Sequence, residues 1–215
     1  MVLKVLFILT CVTAAQCKLI PIACPQIREF VDGHNTRRLL VAQGKVSGQP
    51  AASEMKMMVW DEELASKASQ WANKNQFQHN PDKTIKSKRF MTSDNLHRFS
   101  TNNPKPNFKP DSAVASWFGE HVNYTFGPLQ ASDFQQDYKI GHYTQVVWSE
   151  SIYLGCAISQ TFKDGFNIFI VVCNYGPRGN YEGKKPYEEG DGVTKLVCGI
   201  KNKSKCDHPY GPKCS

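Results

Sequence analysis

Two runs rich in β-branched and aromatic residues, 152–161 and 166–175, lie either side of Lys163-Asp164-Gly165 and constrain this chain more than any other feature. Runs of this length and composition read as strands, and Asp-Gly suits a tight hairpin because both turn residues take positive φ. Each run carries one cysteine, Cys156 and Cys173, within a hairpin's reach of the other, so a disulfide between them is expected. Closing a loop of this size contributes about 3 kcal/mol in the chain-entropy picture. Such a hairpin needs a sheet around it and something apolar to cover the sheet.

The upstream sequence supplies that cover. Between 26 and 43, Ile27, Phe30, Val31 and Val41 recur at helical spacing, with His34 and Arg38 on the same stripe. Gly44 and Gly48-Gln49-Pro50 end this helix. A second helix is expected from Asp61, its cap, with Leu64, Ala65, Ala68, Trp71 and Ala72 on one face. Residues 89–96 read as a short strand, and 101–110, with three prolines, as a loop. A third helix follows, capped by Asp111 or Ser112, with Val114, Trp117, Phe118 and Val122 as its apolar set. Helices flanking a small sheet give an α+β fold, a three-layer α–β–α sandwich.

Residues 1–17 combine Lys4, the apolar run Val5-Leu6-Phe7-Ile8-Leu9 and small residues, the layout of a secretory leader. Ala15 and Cys17 place the expected cut before Lys18. Cys11 and Cys17 would then depart, leaving 8 − 2 = 6 cysteines: Cys24, Cys156, Cys173, Cys198, Cys206 and Cys214. An even number in an exported chain reads as three disulfides, with Cys24 joined by parity to one of the last three. The expected organisation is a leader (1–17), one domain (18–182) and a tail (183–215) too poor in apolar residues for its own core. Net charge is 26 − 19 = +7, or +6 without Lys4, with both signs interspersed; this argues against a nucleic-acid footprint. No segment is long and apolar enough for a membrane helix. Asn123-Tyr124-Thr125 and Asn202-Lys203-Ser204 are glycosylation sequons.

Two words carry the unusual chemistry: Gly141-His142-Tyr143-Thr144-Gln145-Val146-Val147-Trp148, and 170–181, which ends Cys173-Asn174-Tyr175-Gly176-Pro177-Arg178-Gly179-Asn180-Tyr181. In this order they resemble the two signature segments of the CAP superfamily of cysteine-rich secretory, antigen 5 and pathogenesis-related proteins. The resemblance covers about Cys24 to Tyr181 and points to the antigen 5-like branch, with its arthropod members. It implies that four residues converge in a central cleft. His79, Glu120 (in a W-x-x-E word) and His142 match the family pattern. Asp94, in Ser93-Asp94-Asn95-Leu96, stands where the family usually has Glu or Gln, one methylene longer. His34-Asn35-Thr36-Arg37-Arg38 matches the family's H-N-x-x-R word and reads as structural. Asn75 replaces a cysteine common in antigen 5 relatives, so the disulfide network must differ there.

Two imidazoles flanked by carboxylates have the chemistry of a divalent-metal site, and the resemblance implies zinc. The same set also suits a buried polar cluster in which His and acid offset each other's burial. The expected function is a secreted, monomeric, non-enzymatic protein. Its partners would be small apolar ligands such as sterols or fatty acids, or extracellular and host proteins, in venom, saliva or another setting. The rival is a metal-dependent hydrolase using the same cleft, although no H-E-x-x-H or G-x-S-x-G word is present. A channel-blocking toxin would need a denser cysteine module than the three cysteines after Cys173 provide.

Overall fold

The computed structural model describes residues 17–137 and 139–214. The expected leader therefore lies outside the described residues except for Cys17, whose sulfur makes no disulfide among the described residues and sits 4.0 Å from the Ala72 carbonyl. The hairpin forms as β4 (Tyr153–Lys163) and β5 (Phe166–Gly176), longer than expected because pairing continues to Lys163↔Phe166 at one end and Tyr153↔Gly176 at the other. Asp164 (φ 51°) and Gly165 (φ 81°) are both left-handed, the requirement of a two-residue hairpin turn with the twist of its strands. Cys156 and Cys173 are direct partners in the register and are disulfide-bonded.

β3 (Ser93–Thr101) pairs antiparallel with β5 on one side. On the other side, β4 pairs antiparallel with β1 (Lys18–Ile20) and parallel with β2 (Val59–Trp60), at different points along its length. The expected strand at 89–96 is thus displaced. Arg89 is held by Asp61 and Glu63, and Thr92 bonds to Lys83, so the chain enters the sheet only at Ser93 and stays to Thr101.

Helix α1 (Cys24–Ala42) begins with Pro25 in its first turn and buries Ile27, Phe30, Val31 and Val41 together with the polar His34 and Arg38. Helix α2 (Glu62–Ala72) is capped by Asp61, whose carboxylate accepts from the Leu64 N–H at 3.0 Å, with Glu62 and Glu63 favourably placed in the first turn. It buries Leu64, and packs Ala68, Trp71 and Ala72 against one sheet face with Leu96, Ala157, Ile170 and Val172. Gly155 permits this: a Cβ there would lie 2.1 Å from the Ala65 nitrogen. The opposite face, carrying Ile158, Phe169, Val171 and Tyr175, packs on α1 and on α3 (Pro110–Gly119). The result is the α–β–α sandwich.

Two expectations for α3 fail. The cap is Lys109 with Pro110 at the first position; Asp111 instead pairs with Arg37, and Ser112 donates to the Lys109 carbonyl. Val122 is 75% exposed rather than buried, because the helix ends at Gly119 and a 3₁₀ turn (Glu120–Asn123) rotates it outward.

Helix α4 (Gly141–Val146) follows a second 3₁₀ turn (Ala131–Phe134). The last segment lies along α1 and β2, with Met57 donating to the Val197 carbonyl and Trp60 to that of Pro209. Its Tyr187 is buried in the main core. Cys24 bonds to Cys214, and Cys198 to Cys206 across the short helix α5 (Ser204–Asp207). Among the described residues no helix is long and apolar enough to cross a membrane.

Candidate functional site

Of the four ionisable residues singled out from the sequence, His79, Asp94 and His142 line one cleft of about 520 Å³, and Glu120 stands behind it, bonded to His142. His79 follows α2 on a loop anchored by Trp71, whose indole N–H donates to the Gln78 carbonyl at 2.8 Å. Asp94 rises from β3 and is almost wholly buried. It accepts from His79 Nδ1 (3.1 Å), from the Asn80 N–H (3.2 Å) and from the Lys83 ammonium (2.9 Å). Burial opposes its ionisation, but the hydrogen bonds and charges of His79 and Lys83 outweigh that and hold the carboxyl below its usual range. The short Asp side chain is therefore satisfied from three directions.

Glu120 and His142 form the second pair. Glu120 caps α3 and opens the 3₁₀ turn, which aims its carboxylate at the start of α4. Oε1 meets His142 Nδ1 at 2.6 Å, and Oε2 accepts the backbone N–H groups of His142 (3.0 Å) and Tyr143 (3.2 Å). One carboxylate thus fixes an imidazole and satisfies two free amides at a helix start. The His142 ring stacks on Trp117 with centroids 6.3 Å apart, and His79 faces it at 6.3 Å.

Each Nδ1 lies against a carboxylate and so carries the proton, which leaves the two Nε2 atoms as the open positions. Among the described residues no group of three or more His, Cys, Asp or Glu side chains is arranged to hold a metal ion. What the cleft offers is two imidazole nitrogens whose carboxylates are turned to their outer sides. The apolar part of the wall is Phe77, Leu96, Phe134 and Ile140, and the polar part includes Asp133, Gln136 and Lys139.

The supporting polar groups were not separated out by sequence reasoning. Asn95 donates to the His142 carbonyl and to the Tyr175 hydroxyl. Gln145 accepts from Ser93 and from the Gly179 N–H, and donates to Ser151. Asn180, in a left-handed conformation, donates to the Gly141 carbonyl and accepts from Thr144. Gln145 and Asn180 stand inside the two signature words, a signal that could have found them; Lys83 carries no such signal. His34 is not in the cleft lining. It is wholly buried between the Phe30 carbonyl (2.7 Å) and the Tyr175 hydroxyl (2.9 Å), and burial drives its pKa down to about 3 despite the Phe30 bond. Arg38, also wholly buried, donates to the carbonyls of Lys56, Val146, Trp148, Ser149 and Ser151.

Comparison with known proteins supplies an independent reading. Residues 31–175 match the model of the CAP family, described as the cysteine-rich secretory protein family. Venom allergen 5 of Rhynchium brunneum is 38% identical over 167 residues, 75% of this chain and 72% of that one. GLIPR1-like protein 1 of Homo sapiens is 35% identical over 171 residues, 78% of this chain and 65% of that one. Among solved structures, that of NaASP2 with Zn2+ superposes with a TM-score of 0.65 at 30% identity, covering 84% of this chain and 93% of that one.

Proposed function

The chain belongs to the cysteine-rich secretory protein (CAP) family, and from that premise we propose that it is a secreted, monomeric, non-enzymatic binding scaffold. Its cleft takes a divalent cation, zinc by preference, between His79 and His142, beside an apolar ligand such as a sterol or fatty acid. The observation that carries this reading is the orientation of both imidazoles. Asp94 and Glu120 each hold an Nδ1, and both rings line the same cleft. Carboxylates in this position orient the ring and raise its basicity as a ligand. The zinc in the related NaASP2 structure points the same way. The apolar wall of Phe77, Leu96, Phe134 and Ile140 suits the second ligand. Three disulfides suit an extracellular setting, and exposed Asn123 and Asn202 are the expected glycan sites.

Hydrolysis is the weaker reading because neither acid is free to act as a base. Asp94 accepts three hydrogen bonds from the protein, and so does Glu120. Calorimetric titration of the metal-free protein with zinc should show saturable binding that His79→Ala, His142→Ala abolishes. Glu120→Gln should weaken zinc without creating or removing any turnover. A Gln amide presents one acceptor to donors that need two, so His142 Nδ1 gives up its proton and Nε2 takes it. Zinc binding unchanged in the double variant, or peptide or ester cleavage that depends on Glu120, would overturn the reading.

A further inference from the structure

The hairpin tip lies at the far end of the sheet from the cleft. β3 starts beside the cleft at Ser93 and Asp94 and reaches Thr101, which pairs with Asn167 next to the turn. Nine strand residues separate the two ends by roughly 27 Å. At the tip, Phe162 is 62% exposed and Phe166 45% exposed. The register Phe162↔Asn167 and Lys163↔Phe166 sends the two rings to opposite faces of the hairpin, so they form a projecting wedge. Phe99, on the neighbouring strand, is also exposed. Nothing in the core requires a protruding turn to carry phenylalanine at both shoulders.

The charge at this end is one-sided. Segments 18–20, 96–109 and 158–169 contain five cations, Lys18, Arg98, Lys105, Lys109 and Lys163, against a single acid, Asp164, a local balance of 5 − 1 = +4. All five cations are exposed, and none is among the ion pairs of the described residues. Lys18 pairs with Gln160 in the sheet, and the Asn103 carbonyl accepts from Asn167, so the 18–20 and 101–109 segments flank the hairpin. Exposed aromatic rings surrounded by unpaired cations match the two attractions of an anionic bilayer, an apolar interior under a negative surface.

We propose that this end of the sheet docks on anionic phospholipid membranes, with Phe162 and Phe166 entering the interfacial layer and the cations lying at headgroup level. The cleft then faces away from the bilayer and stays open to its ligands. The test is co-sedimentation of the purified protein with vesicles of phosphatidylcholine alone and of phosphatidylcholine mixed with phosphatidylserine, at low and high salt. Binding should appear with the mixed vesicles and weaken as salt rises. Phe162→Ser, Phe166→Ser should reduce it roughly tenfold or more. Lys105→Glu, Lys163→Glu should abolish the preference for anionic vesicles. Circular dichroism should be unchanged in both, since all four side chains are exposed. Three results would each overturn the proposal: no binding of the native chain to anionic vesicles, equal binding by the phenylalanine variant, or a self-association in solution that the phenylalanine variant abolishes, which would assign the wedge to a second copy of the chain.

Discussion

His34 shows how one buried polar residue ties stability to pH. Burial dominates its environment and drives its pKa to about 3. An unfolded chain returns it to about 6.5. Between those values the unfolded state binds a proton that the native state refuses, so stability rises with pH across this window. The contribution is complete above pH 6.5 and is lost by about 1.4 kcal/mol per pH unit as pH falls towards 3. Urea unfolding at pH 7.5 and pH 5 should therefore show the native protein losing about 2 kcal/mol more than a His34→Gln variant. Equal losses would remove His34 from the account. The cleft histidines differ in kind, since each has a carboxylate partner and faces open space. A helical stripe containing His34 and Arg38 was visible in the sequence; that both side chains are wholly buried was not, because their partners are backbone carbonyls contributed by distant segments.

At the scale of elements, the seat of α2 on the sheet is decided by Gly155. A methyl group there would meet the backbone of Ala65, Leu64 and Asp61, and backbone cannot yield as a side-chain tip can. Gly155→Ala should cost about 3 kcal/mol or more by forcing helix and sheet apart. Gly127→Ala, with nothing within 4 Å of the added carbon, should cost less than about 0.5 kcal/mol. Comparing urea midpoints of the two variants checks this, and similar midpoints would show that α2 can shift. The elements differ in how legible they were. The β4–β5 hairpin and α2 announce themselves through Asp-Gly and an acidic cap, signals contained in a few consecutive residues. β3 was misplaced by several residues because its entry into the sheet depends on Arg89 and Thr92 binding elsewhere. β1 and β2 are two or three residues long and exist only because β4 offers them an edge.

Over the whole molecule, the Cys24–Cys214 bond ties the first helix to the last described residue. With a sequence separation of 190, its chain-entropy contribution is about 5 kcal/mol, against about 2.5 kcal/mol for Cys198–Cys206 with a separation of 8. Guanidinium unfolding should show that Cys24→Ser, Cys214→Ser destabilises more than Cys198→Ser, Cys206→Ser. The reverse order would mean that the tail is held by its packing, through Tyr187 and the strand-like contact at Val197, more than by its covalent anchor.

The sequence by itself determined the hairpin and its cysteine pairing, the helical cover, the family resemblance and the four cleft residues as separate points, because each signal is local or is carried in a short word. Only the tertiary structure decided which tail cysteine meets Cys24 and that His79 pairs with Asp94 while His142 pairs with Glu120. It also decided that exposed phenylalanines and unpaired cations gather at one end of the sheet. The physical reason is the same throughout. Periodicity and turn chemistry describe a residue and its chain neighbours, whereas a cleft or a charged end is made by segments tens of residues apart, and their meeting is set by strand register and by how closely backbones can approach.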